Sequence, residues 1–374
     1  MLSASRQKGT PMARSLTLAV LAAVLLPAGL AADDITRIPL LPPGEGNPRN
    51  SEGDFVTLKD GRILFVYTHF TGGGGDHSVA HLAGRFSDDG GLTWTDEDAV
   101  VLPNEGGMNV MSVSLLRLPT DEIAMFYLIK NATDDCVPHV RLSTDEAKTW
   151  GEPIRVVGED GYYVLNNDRV VMLSTGRLLA PVSRHSVPGG KFTGAGVQSV
   201  WRSDDNGRTW QKSNEVPSPD GVVLQEPGVI ELRSGRVLML CRTNKGSQYR
   251  SISGDAGVTW SSAEPTSIIS PLSPATFERI PETGDILLAW NDHSDVTGEY
   301  AGKRTPFTVA ISRDEGNTWE YRQTLEDDPD GWYCYTAMHF VDGRVLLGHC
   351  AGDKTIGGLN RTQITVLDVE GLYR

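Results

Sequence analysis

The sequence has almost no helical periodicity, few cysteines and little positive charge. Its four cysteines in 374 residues are too few for a disulfide scaffold, and its eight histidines show neither HExxH nor CxxC spacing. After residue 32 no apolar run is long enough to cross a bilayer. The net charge of −14 disfavours nucleic acid and anionic membranes as partners. We therefore expect neither of those partners, no metal and no cofactor, and an anionic substrate would require arginines gathered in one pocket.

The amino terminus is the one segment with a targeting pattern. A basic stretch ending at Arg14 precedes the apolar run Leu16 to Leu26, which is followed by Pro27 and small residues up to Ala32. This order predicts a signal peptide over residues 1–32 and a secreted or periplasmic protein, and an uncut membrane anchor is the alternative. Residues 33–48 read as a linker or closing segment, and residues 49–374 as one domain.

One eight-residue motif occurs five times. The copies run from Ser87 to Trp94, Ser143 to Trp150, Ser203 to Trp210, Ser253 to Trp260 and Ser312 to Trp319. They share serine, aspartate, threonine and tryptophan at fixed offsets, and four of the five have glycine at the turn, where the second has Ala147. A motif repeated at a period of about 50 residues is the signature of a repeat architecture. We assign these turns to structure, because a short acidic side chain can bond the amides of its own turn.

Strand pairs joined by turns such as Asp60-Gly61 and Ser234-Gly235 precede each motif. Six such hairpins and five decorated outer hairpins predict an all-β chain, a six-bladed β-propeller of four-stranded antiparallel blades. We expect the strand Ile364 to Val369 to complete the last blade with help from Ile35 to Pro39. Cys334 and Cys350 flank the last hairpin, so they are either close together or ordinary packing thiols.

Two charged residues, Glu226 and Arg242, sit within otherwise apolar strands of the fourth repeat. A buried charge is costly unless it is paired or functional. The two could form a structural salt bridge between adjacent strands. They could also belong to a binding site, because propellers bind ligands where inner strands converge at one end of the axis.

The repeats resemble the Asp-box repeats of the sialidase (neuraminidase) superfamily, and the order of the charged residues is similar too. The resemblance covers residue 45 to the end of the chain. In that superfamily three arginines bind the substrate carboxylate, a tyrosine paired with a glutamate is the nucleophile, and an aspartate is the acid/base. The resemblance implies the catalytic residues Asp76, Glu226 and Tyr335, with Tyr333 as a competitor for the nucleophile. It implies the carboxylate-binding arginines Arg49, Arg242 and Arg304, of which Arg49 lacks the family's Arg-Ile-Pro context.

These residue types suit the chemistry of a sugar that carries a carboxylate on its anomeric carbon. An anionic nucleophile would be repelled there, whereas a neutral phenol is not, and Glu226 can take the proton of Tyr335 as it attacks. Asp76, in the Gly-rich loop Gly72 to His77, would protonate the leaving oxygen, for which its pKa must be raised.

Three further residues are predicted to contact the substrate. Arg184 ends an inner strand of the third blade and could replace a member of the arginine triad, and Asn167 and Asp168 lie at an inner-strand edge. The resemblance implies an exo-sialidase that acts on sialylated or other acidic glycans without a cofactor. The alternatives are a glycosidase or lyase for another acidic saccharide, such as a uronate, and a non-catalytic propeller that binds glycans or a protein. The sequence does not predict the oligomeric state.

Overall fold

The protein is described by a computed structural model that covers residues 1–4, 35–296 and 298–374. Apart from its first four residues, the predicted signal peptide lies outside the described residues. The described chain contains 25 strands and two short 3₁₀ helices, Gly298–Tyr300 and Val369–Tyr373. None of the helices in the described part is long and apolar enough to cross a membrane. The predicted all-β class is confirmed.

Four of the five sheets have four antiparallel strands. The first contains β2 (Arg49–Thr57), β3 (Ile63–Phe70), β4 (Ala80–Ser87) and β5 (Ala99–Leu102). Another contains β15 (Leu224–Glu231), β16 (Val237–Thr243), β17 (Ser247–Ser253) and β18 (Glu264–Ile269). The next contains β19 (Thr276–Arg279), β20 (Ile286–Trp290), β21 (Phe307–Ser312) and β22 (Glu320–Glu326). The last contains β23 (Gly331–Val341), β24 (Arg344–Asp353), β25 (Thr362–Asp368) and β1 (Ile35–Leu41).

The fifth sheet has nine strands and lies between the first two of these in sequence. Its first part contains β6 (Asn109–Arg117), β7 (Ile123–Ala132), β8 (Asp135–Ser143) and β9 (Ile154–Arg155). Its second part contains β10 (Tyr162–Val164), β11 (Val171–Met172), β12 (Leu178–Ser186), β13 (Val197–Ser203) and β14 (Gln211–Lys212). The two parts are joined by one parallel pairing, between Tyr162 and Cys136. Because this pairing merges two of the predicted blades, the count of six blades stays a prediction.

The sheets follow one another around a closed ring. Leu64 of β3 packs in one apolar cluster with Met125 of β7, and Phe65 of β3 packs in another with Leu346 of β24. The first sheet is thus in contact with both the nine-stranded sheet and the sheet that contains β23, β24, β25 and β1. In the last sheet β1 pairs with β25, as Ile38 with Ile364, so the amino-terminal segment completes that sheet as expected. Each sheet buries its faces against its neighbours, as in a β-propeller.

The five repeated motifs form the same hydrogen-bonded turn at the end of the third strand of a sheet. In the fourth copy Asp255 Oδ1 accepts from the amide of Thr259 at 2.8 Å, and its Oδ2 accepts from Thr259 Oγ1 at 2.6 Å. Ser253 Oγ accepts from the amide of Gly257 at 2.9 Å. The other four copies repeat these bonds. The serine, aspartate and threonine of each motif are therefore bonded to one another or to amides of the same eight residues, and none of the motifs lines the cavity described next.

Candidate active site

A cavity of about 150 Å³ opens near the beginning of the innermost strands of several sheets. Its lining contains polar, charged and apolar residues. The lining residues are Glu52, Asp76, Met111, Ser112, Leu128, Lys130, Tyr162, Val164, Asn166, His185, Phe192, Gln225, Glu226, Arg242 and Tyr335. Four of the residues predicted from the sequence, Asp76, Glu226, Arg242 and Tyr335, therefore meet in one cavity.

Four lining residues share a backbone feature, a positive φ within an innermost strand. Glu52, Ser112, Glu226 and Tyr335 have φ of 58°, 59°, 49° and 54°. At each of them the pairing with the next strand shifts register. A β-bulge of this kind re-aims a side chain, at a cost of about 1–2 kcal/mol for a non-glycine residue in the left-handed region. The innermost strands thus bend at corresponding places and turn four different side chains towards one cavity.

Tyr335 and Glu226 form the centre of the site. Tyr335 Oη donates to Glu226 Oε1 over 3.2 Å, and both residues are buried. Burial and the negative charge of Glu226 raise the pKa of Tyr335, so the resting phenol is neutral. Such a phenol, with a carboxylate positioned to take its proton, can act as a nucleophile.

Arg242 completes this pair. Its Nη1 lies 2.9 Å from Glu226 Oε2, so the two side chains form an ion pair between adjacent strands, and both of them also line the cavity. The guanidinium is oriented by its Nε, which donates to Gln225 Oε1 at 2.8 Å. Arg242 therefore places a positive charge in the lining beside the phenol and its base, where an anionic ligand in the cavity would meet it.

Arg304 lies behind Tyr335 and is not one of the lining residues. Its guanidinium carbon is 5.1 Å from the centre of the Tyr335 ring, and its Nη1 donates to Cys334 Sγ at 3.0 Å. Cys334 pairs directly with Cys350 across β23 and β24, and both are free buried thiols. Burial disfavours a thiolate here, but the hydrogen bond from Cys350 and the charge of Arg304 outweigh it and lower the pKa of Cys334 to about 7.

Arg49 is enclosed behind the loop that carries Asp76. Its Nη1 donates to Asp76 Oδ1 at 2.6 Å, and its Nη2 donates to Glu52 Oε1 at 3.1 Å. The Asp76 side chain is 56% exposed. Burial favours its protonated form, but Arg49 outweighs burial and holds the pKa of Asp76 below its usual range. The raised pKa expected of a general acid is therefore not present in this arrangement.

Comparison with known proteins agrees with this architecture. The family model described as "BNR repeat-like domain" matches residues 73–347. The chain is a BNR repeat-like protein of the sialidase superfamily.

Two curated relatives and two solved structures are similar to this BNR repeat-like protein. A sialidase of Paraclostridium sordellii is 27% identical over 56% of this chain and 56% of its own length. A sialidase of Micromonospora viridifaciens is 25% identical over 77% of this chain and 46% of its own length. The chain thus spans about half the length of these relatives.

The structural matches share the fold at low sequence identity. A protein of unknown function from Dyadobacter fermentans matches with a TM-score of 0.71 and 18% identity, over 90% of this chain and 99% of that one. The Hadza microbial sialidase Hz136 matches with a TM-score of 0.70 and 17% identity, over 87% of this chain and 66% of that one.

The lining residues of the BNR repeat-like site that were not predicted from the sequence include Glu52, Lys130 and Tyr162. Lys130 lies towards the end of the apolar strand β7 and is only 1% exposed. Its isolated charge in an apolar strand is the signal that identified Glu226 and Arg242, so the sequence held a clue to it. Glu52 is likewise a buried charge in an inner strand. Tyr162 carries no such signal.

Three predicted substrate contacts have partners within the protein. Arg184 Nη2 pairs with Glu215 Oε1 at 2.8 Å and does not line the cavity. Asn167 donates to backbone carbonyls, and Asp168 accepts from the amide of Met338 at 2.9 Å. Asp168 instead lines a second cavity of about 310 Å³. This arrangement gives none of the three a position against a ligand in the first cavity.

Of the two candidate tyrosines, only Tyr335 lines the cavity. Tyr333 packs in an apolar cluster, with its ring centroid 6.3 Å from that of Phe307 and 6.2 Å from that of His349. Across the residues that the structure describes, no group of three or more histidine, cysteine, aspartate or glutamate side chains is placed to hold a metal ion.

Proposed function

We propose that this protein is a glycoside hydrolase of the exo-α-sialidase type, which releases terminal sialic acids from glycoconjugates with retention of configuration. The observation that carries the proposal is the buried hydrogen bond of Tyr335 to Glu226, beside Arg242, which is ion-paired with Glu226 and lines the same cavity. Two relatives named sialidase support it. A six-bladed propeller is part of the proposal, and so is a secreted or periplasmic location, which rests on the predicted signal peptide.

In the first step Arg242 binds the carboxylate of the sugar through paired hydrogen bonds, Arg304 adds its positive charge from behind Tyr335, and Arg49 binds the carboxylate after releasing Asp76. Tyr335 Oη attacks the anomeric carbon while Glu226 takes its proton. The bond to the leaving oxygen breaks, and Asp76 supplies the proton which that oxygen needs. The product is a sugar bound covalently to Tyr335.

In the second step a water molecule attacks the anomeric carbon from the side on which the leaving group departed. Asp76 accepts a proton from this water, and Glu226 returns a proton to the phenolate of Tyr335 as the bond between sugar and enzyme breaks. Two displacements at the same carbon retain its configuration. Neither step requires a cofactor.

A second candidate keeps the cavity but changes the sugar to another acidic saccharide, such as a uronate. The observation in its favour is the position of Arg49, which is bound to Asp76 and Glu52 and does not reach the cavity lining. A site that relied on fewer arginines could bind a carboxylate placed elsewhere on the ring.

An assay of sialoside and uronide hydrolysis by wild type, Tyr335→Phe and Tyr333→Phe tests the proposal. We expect the wild type to release a fluorophore from an α-sialoside, and Tyr335→Phe to lose at least about 100-fold in kcat, because a nucleophile and its proton transfer are both removed. Tyr333→Phe is the matched control and should keep its activity. A folded wild-type protein that cleaves the uronide and not the sialoside would establish the second candidate instead.

A further inference from the structure

Three buried side chains hold the loop that carries Asp76. Arg49 Nη1 binds the Asp76 carboxylate at 2.6 Å. Lys130 Nζ donates to the backbone carbonyl of Asp76 at 2.7 Å, and Asn109 Nδ2 donates to the same carbonyl at 2.9 Å and to that of Ser78 at 2.8 Å. The loop is therefore attached in two ways, through the side chain of Asp76 and through its backbone, where Arg49 Nη1 also donates to the carbonyl of Gly74 at 3.2 Å.

The two attachments respond differently to an anionic ligand. A substrate carboxylate that binds Arg49 must replace the Asp76 carboxylate, because both anions require the same guanidinium nitrogens. This replacement breaks the attachment through the side chain. The bonds from Lys130 and Asn109 are unaffected, because they are made to a backbone carbonyl.

Lys130 is an unusual residue for a purely structural contact. It is 1% exposed, and although its charge acts on the carboxylates of Glu52 and Asp76, within the described part of the chain it forms no direct ion pair with either. Its other neighbours are Met111 Sδ at 3.3 Å and the ring of Tyr162, whose centroid is 5.3 Å from Nζ. Buried lysines are rarely left without a carboxylate, because desolvating the ammonium group is costly. An uncharged donor could hold a carbonyl at a smaller cost.

We propose that Lys130 is a positioning residue, which holds the backbone of Asp76 in the site while the substrate carboxylate replaces Asp76 on Arg49. This inference rests on the proposed function. The exchange also supplies the acid: once Arg49 is engaged by the substrate, the Asp76 carboxylate loses its strongest cationic partner and can take a proton from solvent. Without Lys130, Asn109 alone would hold this carbonyl, and the displaced Asp76 would be less well positioned against the leaving oxygen.

The test compares Lys130→Met with wild type on two sialosides that differ in leaving group. The leaving group of an aryl sialoside, such as the 4-methylumbelliferyl derivative, departs with little help from an acid. The lactose of 3′-sialyllactose leaves only if its oxygen is protonated. Because Asp76 is misplaced, we expect kcat/KM for 3′-sialyllactose, which reports only the first step, to fall about 10- to 100-fold. The kcat/KM for the aryl sialoside should be affected much less. Asp76→Asn should give the same pattern, and adding Lys130→Met to it should cause no further loss.

A pH profile separates positioning from general structural damage. Asp76 must be protonated to act as an acid, so kcat/KM falls at high pH as Asp76 ionises, and this basic limb of the pH profile reports its pKa. Removing the positive charge of Lys130 should move that limb to higher pH, which a structural defect alone would not do. Lys245→Met, at an exposed position, is the matched control and should leave both kcat and the limb unchanged.

The outcomes distinguish this inference from the proposed function. A wild type that cleaves neither sialoside defeats both. If the wild type cleaves both substrates and Lys130→Met lowers them equally, or lowers neither, only the role of Lys130 is overturned. Should Lys130→Met fail to fold, Asn109→Leu removes the second donor to the same carbonyl and must show the same dependence on the leaving group.

Discussion

The side-chain amide of Asn167 donates a 3.0 Å hydrogen bond to the backbone carbonyl of Tyr335, a residue 168 positions later in the chain. The same nitrogen donates at 2.9 Å to the carbonyl of Gly53. Both acceptors lie at bulges of innermost strands, next to side chains that line the cavity. One buried amide from the nine-stranded sheet thus connects to the first sheet and to the last sheet. It does so at the bulges that direct Glu52 and Tyr335 towards the cavity.

We expect Asn167→Ala to destabilise the protein and to impair catalysis together. The substitution leaves two buried carbonyls without a donor, which costs about 1–3 kcal/mol or more. Because Tyr335 loses a backbone contact, kcat should fall while KM changes less. Thermal unfolding and steady-state kinetics measure the two effects, with Asn317→Ala at an exposed position as the control. Unchanged kcat in a destabilised variant would show that Tyr335 is held in place without Asn167.

Arg242→Lys tests whether the geometry of the guanidinium or only its charge matters. Lysine keeps the charge but cannot hold Gln225 and offer a second donor in one rigid fork. We expect kcat/KM to fall about 10- to 100-fold, as for the loss of a charge-assisted hydrogen bond. Arg184→Lys, in a residue that pairs with Glu215 away from the cavity, should stay close to wild type. Equal effects of the two substitutions would contradict the assignment of Arg242 to the site.

Gly257→Ala and Gly235→Ala test the packing of the repeated turns. Both glycines have a positive φ, of 85° and 77°, so both variants incur backbone strain of about 1–2 kcal/mol. Only at Gly257 would the new Cβ lie 2.8 Å from Leu179 Cδ2, whereas nothing lies within 4 Å at Gly235. Gly257→Ala should therefore unfold at lower denaturant concentration than Gly235→Ala. Identical unfolding midpoints for the two variants would mean that the turn at Gly257 can move away from Leu179.

The second cavity predicts a pH dependence of stability. Burial raises the pKa of Asp168 to about 6, and burial together with Asp168 raises the pKa of its hydrogen-bonded neighbour Glu278 well above the usual range. The pKa of Asp54 is raised in the same way, and the positive charge of the buried Arg169 opposes all three shifts. These carboxyls bind protons more tightly in the folded protein than in the unfolded chain. The stability they contribute is complete below about pH 4 and is lost as pH rises through 6 and above.

Glu278→Gln removes the need for a proton at this position, because the amide donates without one. We expect the variant to gain stability relative to wild type between pH 5 and pH 8, by on the order of 1–3 kcal/mol. Denaturant unfolding of both proteins at the two pH values measures this difference. A difference independent of pH would show that Glu278 does not titrate in this range.

The repeats show why part of this protein was predictable from its sequence. Asp255 bonds Thr259 and Ser253 within its own turn, so the motif specifies its geometry with no help from the rest of the chain. Glu226 and Arg242 were also recognisable, because they interrupt apolar strands that are joined by a short turn. Lys130 interrupts an apolar strand in the same way, but no local partner marks what it binds.

The sequence by itself determined the all-β class, the repeated turns and four of the residues that meet in the cavity. Only the tertiary structure decided that Asn167 bonds the backbone of Tyr335, that Asp76 lies on Arg49, and that Tyr335 and not Tyr333 lines the cavity. The physical reason is the range of the contacts. A turn closes its hydrogen bonds over eight residues, whereas the site forms when bulged strands from distant parts of the chain are brought together by closure of the ring.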